Sequence, residues 1–339
     1  MSDVPRARVC VDAVGGDFAP AAVLEGIDQA LSADPGLDVI VTGPADVVEP
    51  FAAQRTARVS AVPTTQFIAM DEHPAQAVRA KRDSSLVVGC RIVREGRADA
   101  FFSAGSTGAA MAAATLVMGR IPGVSRPGIA TVIPTRGAPV VLLDAGANAD
   151  CKPENLVEFG HMGAAYSHVV LGVDTPTVAL LNIGSEATKG SQLALEAHAL
   201  LAEHLPGFTG NLEANHLMDG ETDVLVTDGF TGNVVLKLLE GASKTILGQV
   251  REALTSSVIS SIAALAAKPA FDRLRTSLDP DAYGGAPLLG VNGVCIIGHG
   301  SSNAKAVSAA LRVAAQAVRG GLTRAIAENL AREHDEQQA

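Results

Sequence analysis

Two kinds of hydrophobic pattern alternate along the chain. Short apolar, β-branched runs bounded by Gly, Pro, Asp or Asn predict strands. They fall at Arg8–Val11, Leu37–Thr42, Ala57–Val62, Ala98–Ser103, Ile129–Pro134, Val140–Asp144, Thr177–Asn182, Gly210–Ala214, Asp223–Thr227 and Val294–Ile297. Longer stretches with apolar residues every three to four positions predict helices over Pro20–Ala33, His73–Glu95, Thr107–Gly119, Pro153–Leu171, Ser191–His204, Asn233–Ala267 and Ser302–Arg332. Alternation of this kind implies βαβ units, hence an α/β fold with a mostly parallel sheet covered on both faces. No repeat of 20–50 residues is visible, and the polar tail after Arg332 is expected to fray.

One stretch interrupts the alternation. From Asn233 to about Leu278 the pattern stays helical, with Gly241 and Gly248 inside it and Pro269 breaking it, which predicts a helical hairpin. Val258, Ile259, Ile262 and Leu265 share one helix face, flanked by Lys244, Arg251, Lys268, Arg273 and Arg275. An apolar face of that size must be covered by something. A core or dimer contact, an acidic partner and a membrane surface all remain open at this point.

Composition narrows the function classes. The chain has 339 residues, with 58 Ala and 34 Gly, so helices and strands are expected to approach closely. Aromatic residues make up 3%, which leaves few stacking platforms for single-stranded nucleic acid. A formal charge of −10 argues against a general nucleic-acid binder. Cys10, Cys90, Cys151 and Cys295 form no CxxC pair and read as free thiols of a reducing compartment. No run approaches the roughly 18 apolar residues of a spanning helix. The expected location is cytoplasmic, with peripheral membrane contact left open.

The candidate chemistry lies where strands end. Six small-residue loops follow predicted strands: Asp12-Ala-Val-Gly-Gly-Asp17, Ser103-Ala-Gly-Ser-Thr-Gly108, Asp144-Ala-Gly-Ala-Asn148, Asn182-Ile-Gly-Ser-Glu-Ala-Thr-Lys-Gly190, Asp228-Gly-Phe-Thr-Gly-Asn233 and Gly298-His-Gly-Ser-Ser302. In a parallel sheet such loops are expected to gather along one carboxyl edge, where ligands bind. Glycine lets backbone N–H groups reach a ligand, so the joint reading is a site for phosphate or another small anion. Neither GxGxxG nor GxxxxGK[ST] is present, and there is no G-x-S-x-G nucleophile elbow. His299 is a candidate acid, base or ligand-binding group. Lys189 suits a phosphate or a developing oxyanion. Asn233 could orient a carbonyl or phosphate, or could cap a helix. Asp12, Asp17, Asp144 and Asp228 read as loop-fixing residues rather than metal ligands. No metal and no cofactor are expected.

Taken in order and at this spacing, these loops resemble the bacterial phosphate acyltransferases of the PlsX family. Lys81-Arg-Asp-Ser-Ser85 and Tyr283-Gly-Gly-Ala-Pro-Leu-Leu-Gly290 add to the match, which covers nearly the whole chain. Ser106 stands where the family has Asn, and Val14 where Met is commoner. The resemblance implies a three-layer α/β/α sandwich like that of phosphotransacetylases and the isocitrate/isopropylmalate dehydrogenases. It implies one domain of two lobes across residues 1–339, with a protruding hairpin at about 241–278, assembled as a homodimer. The implied reaction moves a fatty acyl group from acyl carrier protein to inorganic phosphate. The acyl-phosphate would pass to a membrane glycerol-3-phosphate acyltransferase of the PlsY type. Lys189 and Asn233 become the catalytic pair; Gly15, Gly16, Asp17, Gly105, Ser106, Thr107, Asn148, His299 and Ser301 hold phosphate or substrate. Lys244, Arg251, Lys268, Arg273 and Arg275 become the docking patch for an acidic carrier. The rival readings are a phosphate acetyl- or butyryltransferase using acyl-CoA, a decarboxylating dehydrogenase on the same fold, and a non-catalytic scaffold.

Overall fold

The structure, a computed structural model, describes residues 5–55, 57–257, 264–265, 267–269, 271 and 283–338, with the side chains of 333–338 outside the description. Strands β1 (Ala7–Asp12), β2 (Leu37–Gly43), β3 (Val59–Pro63), β4 (Ala100–Ser103), β5 (Gly128–Ile133), β6 (Val140–Leu143), β7 (Val178–Asn182), β8 (Phe208–Glu213), β9 (Val224–Val226), β10 (Ala286–Leu289) and β11 (Val294–Ile297) form one sheet. Their order is β3-β2-β1-β4-β11-β10-β5-β6-β9-β7-β8.

Strand direction decides where the loops go. β3, β2, β1, β4 and β11 are mutually parallel. β10 is antiparallel to both β11 and β5, and β5 is antiparallel to β6. β6, β9, β7 and β8 are again mutually parallel, now running against the first set. The expectation of one shared carboxyl edge is therefore corrected. Three of the six loops follow β1, β4 and β11, and three follow β6, β7 and β9 on the reversed half.

Helices cover both faces. α1 (Ala21–Ala33), α2 (Ala45–Ala53), α6 (Pro153–Tyr166), α7 (Gln192–His204), α9 (Ala304–Arg319) and α10 (Leu322–Gln338) pack on one side. α3 (Pro74–Ala80), α4 (Ser85–Arg94), α5 (Thr107–Ala113) and α8 (Gly229–Thr255) pack on the other. Strand residues divide between the two cores with period two: Val9 and Val11 face one, Cys10 the other; Val141 and Leu143 face one, Leu142 the other. Both faces are buried, which is why the runs read as continuous hydrophobic stretches. Small residues set the spacing: a Cβ on Gly26 would meet Val307 at 2.5 Å, and one on Gly89 would meet Phe101 at 2.3 Å.

The differences from the predicted elements have local causes. The stretch His73–Glu95 is two helices, because Ser84 adopts an extended conformation and its Oγ accepts from the Val87 N–H as the cap of α4. Ser302–Arg332 divides at Gly320 and Gly321. Its polar tail continues helical to Gln338 instead of fraying, in keeping with its Glu and Gln content. α8 begins at Gly229, four residues before the predicted start, and only Gly229 and Gly232 are buried. From Glu240 through Ala253 every residue is exposed, and a Cβ on Gly241 or Gly248 would meet nothing within 4 Å. This stretch thus projects clear of the body; most of the predicted hairpin's second arm lies outside the described residues. No helix among the described residues is long and apolar enough to cross a membrane.

Candidate functional site

The loops after β1, β4 and β11 touch one another. Asp12, at the end of β1, is buried; its Oδ2 accepts from Ser103 Oγ at 2.8 Å and its Oδ1 from the Val14 N–H at 3.2 Å. Ser103 Oγ in turn accepts from the Gly105 N–H at 3.0 Å. Burial pushes the Asp12 carboxyl above its ordinary value, and the hydrogen bonds partly oppose that. A Cβ on Gly15 would lie 2.7 Å from both Gly105 N and Ser103 Oγ, so only glycine fits. Gly16 has φ +108°, and the next N–H, that of Asp17, donates to Gly300 O at 2.7 Å. Ser106 caps α5 through a 3.4 Å bond from the Ala109 N–H, leaving its hydroxyl proton to donate elsewhere; Thr107 is exposed beside it. His299 Nδ1 accepts from the Ser301 N–H at 3.2 Å and lies 2.7 Å from Ser301 Oγ. An accepting Nδ1 places the proton of the neutral ring on Nε2, so His299 presents a donor.

The second group sits at the carboxyl ends of β6, β9 and β7, which are neighbours in the sheet. Asp144 is fully buried, and its carboxylate accepts from five donors: the N–H groups of Ile129, Gly146, Ala147 and Asn148, and Asn148 Nδ2. It fixes the loop, as the sequence suggested. Asn148 Nδ2 also donates to Pro127 O at 2.8 Å, so this amide offers a ligand its oxygen rather than its nitrogen. Asp228 caps α8, accepting from the Thr231 N–H and hydroxyl at 2.8 Å each. The cap alternative for Asn233 is thereby corrected: Asn233 lies in the second turn, exposed, 3.5 Å from a Cβ on Gly146, and its amide makes no hydrogen bond among the described residues.

Lys189 sits in a turn closed by its own N–H to Glu186 O at 3.1 Å. Asn182 Nδ2 holds the Lys189 carbonyl at 3.0 Å, and Asn211 Nδ2 holds the Glu186 carbonyl at 2.8 Å. The next residue, Gly190, has φ +105°. The Lys189 stem passes over Gly184, and its ammonium is exposed with no ion pair among the described residues. So the backbone of the loop is pinned while the cation is left free.

α5 connects the two groups. It starts at Thr107 and carries Met111 to a pocket of about 270 Å³, which Thr115 in the π-helical turn that follows, Arg120, Ser125, Arg126, Pro127 and Asn148 complete. The two arginines were not legible in the sequence: they lie in a loop that no motif marks and become neighbours only at the pocket. Lys81–Ser85, which the resemblance singled out, ties down a strap instead. Lys81 Nζ holds Phe67 O and Glu72, and Asp83 accepts from Thr65. His216, Asp219 and Glu221 have metal-ligand spacing that was also missed, but Asp219 already pairs with Arg136. Of the docking candidates, Lys244, Arg251 and Lys268 are exposed; Arg273 and Arg275 lie outside the described residues.

Residues 7–324 match the model of a family described as "Fatty acid synthesis protein". A phosphate acyltransferase of Heliobacterium modesticaldum is 47% identical over 327 residues, covering 95% of this chain and 97% of that one. The chain belongs to the phosphate acyltransferase (PlsX) family. A second phosphate acyltransferase, from Desulfitobacterium hafniense, is 46% identical over 96% of this chain and 98% of its own. The family makes this chain an acyltransferase of fatty acid and lipid synthesis that joins an acyl group to phosphate. Its fold is shared with a phosphotransacetylase from Streptococcus pyogenes, at TM-score 0.62 and 16% identity over 92% of this chain and 94% of that one. A branched-chain phosphotransacylase from Enterococcus faecalis gives TM-score 0.59 at 16% identity, over 92% and 99%. The chain thus has the three-layer α/β/α architecture of the phosphotransacetylases.

Proposed function

We propose that the enzyme takes a long-chain acyl group from acyl carrier protein and releases acyl-phosphate for phospholipid synthesis. A phosphate oxygen attacks the thioester carbonyl carbon, a C–O bond forms, and the carbonyl pair moves onto oxygen. The tetrahedral oxyanion collapses, the C–S bond breaks, and the sulfur leaves with its pair. Phosphate is substantially dianionic near neutral pH, so the protein's tasks are to hold it, exclude water and stabilise the oxyanion. Lys189 and Asn233 are assigned the last task. What supports this is that both present unspent donors after neighbouring strands, Lys189 from the loop after β7 and Asn233 from the second turn of α8 after β9. Gly15, Gly16, Asp17, Gly105, Ser106, Thr107, His299 and Ser301 are assigned to phosphate, and Asn148, through its amide oxygen, to substrate.

The reading extends to assembly. The enzyme is one domain of two lobes and works as a homodimer in the cytoplasm. Phe230, Val234 and Leu238 form an i, i+4, i+8 stripe, 66%, 51% and 69% exposed, that a second copy would cover. The projecting arm of α8, with Lys244 and Arg251, receives the acidic carrier, together with Lys268, Arg273 and Arg275. Product then passes to a membrane glycerol-3-phosphate acyltransferase, which brings the arm close to lipid.

The test incubates the protein with palmitoyl-acyl carrier protein and phosphate, and with palmitoyl-CoA in parallel, reading acyl-phosphate by mass spectrometry. Product from the carrier thioester, and loss of about 100- to 1000-fold in Lys189→Ala with unchanged melting, is expected. Product from CoA thioester alone would replace the donor assignment. Normal turnover by Lys189→Ala would remove its role.

A further inference from the structure

The pocket beyond α5 holds two cations that no carboxylate among the described residues pairs with. Arg120 Nη1 donates to the Ser125 carbonyl, and Arg126 Nη1 donates to the Asp150 carbonyl at 3.3 Å. Each guanidinium has five N–H donors, and these tethers take one apiece. Among the described residues neither arginine has a carboxylate partner, although the chain carries a formal charge of −10. Two of the acids close by are engaged by other donors, while the Asp150 carboxylate, beside the carbonyl that tethers Arg126, makes no hydrogen bond among the described residues. Asp144 is saturated by backbone and amide donors, and Glu158 accepts from both the N–H and the hydroxyl of Ser125 at 2.9 Å.

The loop bearing the arginines is anchored at several points. Ser125 Oγ donates to Glu158 and accepts from Asn155 Nδ2 at 2.7 Å, and Pro127 O is held by Asn148 at 2.8 Å. Arg120 forms a bridge with Val291. Two cationic forks held on an anchored loop, at a pocket of about 270 Å³, match a phosphoryl group in charge and shape. Met111 and Pro127 give the same pocket an apolar wall. Thr107, in the proposed phosphate loops, is one helical turn from Met111 on α5, so the pocket continues that site.

We propose that Arg120 and Arg126 form a phosphoryl-binding site serving the acyl transfer, an inference that rests on the reaction proposed above. Two phosphoryl groups take part in that reaction: inorganic phosphate, and the phosphate ester of the pantetheine arm that carries the thioester. The shared chemistry is a tetrahedral oxyanion taken by paired guanidinium forks, and binding separates the two sources.

The experiment titrates the full-length protein and its Arg120→Gln/Arg126→Gln variant calorimetrically, once with inorganic phosphate and once with 4′-phosphopantetheine. The double variant is expected to bind one of the two about 10- to 100-fold more weakly, as befits loss of charge-assisted hydrogen bonds. Weakening for inorganic phosphate assigns the pocket to the nucleophile; weakening for phosphopantetheine assigns it to the donor's arm. Arg126→Lys should fall between, because it keeps charge and loses the fork. It also serves if circular dichroism shows the double variant unfolded, and in that case wild-type affinity in Arg126→Lys would overturn the proposal. Equal affinities of wild type and folded double variant for both ligands, or no binding of either by wild type, would overturn it as well. Failure of the wild type to make acyl-phosphate would instead remove the proposed reaction while leaving the binding constants as measured.

Discussion

At the scale of single residues, two glycines of α8 make opposite predictions. A Cβ on Gly232 would lie 1.9 Å from the Asp144 carbonyl oxygen, so Gly232→Ala must displace the first turn of α8 and, with it, Asn233. A loss of about 3 kcal/mol, read by thermal unfolding, is expected together with reduced turnover. Gly241 has nothing within 4 Å, and Gly241→Ala should stabilise the projecting arm by up to about 1 kcal/mol. His161 adds a pH dependence. Burial, with His204 adding to it, pulls its imidazole down to about 4, so the folded chain keeps it neutral. The unfolded chain protonates it near pH 6.5, and therefore binds more protons between pH 4 and 6.5. Stability should fall by about 3 kcal/mol as pH drops through that window. Urea unfolding at pH 7.5 and 4.5 checks this; a His161→Leu variant with the same acid-side slope would contradict it. Lys189 stood out in the sequence because small residues surround it; Asn233 read equally as a helix cap, an alternative that the Asp228 cap removes. Arg120 and Arg126 did not, since a loop arginine looks the same whether it faces solvent or a pocket.

At the scale of elements, most of the strands and helices were legible because both faces of the sheet are buried and the periodicities are clean. The failures are instructive. β10, Ala286-Pro-Leu-Leu, is four residues long with a proline inside, and reads as loop. α2 carries Pro50 in its body and was missed for the same reason. The arm of α8 was legible as a departure from alternation, and its structure explains what it can be asked to do. It makes so little contact with the body that charge reversal there should leave folding unchanged. Lys244→Glu/Arg251→Glu is expected to lower kcat/KM for the acyl carrier protein thioester at low salt, with the deficit shrinking as salt is raised. Equal steady-state kinetics at low salt would place the carrier elsewhere.

At the scale of the whole molecule, the sheet reverses at β5 and β6. β10, antiparallel on both sides, leaves β11 and β5 pointing the same way; the antiparallel β5–β6 pair turns the second half round, and the six loops accordingly divide three and three. The apolar stripe on α8 bears on assembly. Leu238→Asp should convert a dimer to monomer in sedimentation velocity without lowering the melting temperature of the single chain, because Leu238 is exposed in it. An unchanged sedimentation coefficient would put the dimer contact on another surface.

The sheet reversal also shapes the field around the enzyme. Each helix that follows a strand starts at that strand's carboxyl end, so α1, α5 and α9 point their positive ends one way and α6, α7 and α8 the other. The partial charges at helix ends, about half an elementary charge each, then oppose one another across the molecule. Neither edge is uniformly positive, and at a distance the formal charge of −10 prevails. An approaching phosphate dianion is repelled by the chain as a whole and attracted only within a few ångströms of its N–H and guanidinium donors. Anion capture in this fold is governed by contact, not by long-range steering.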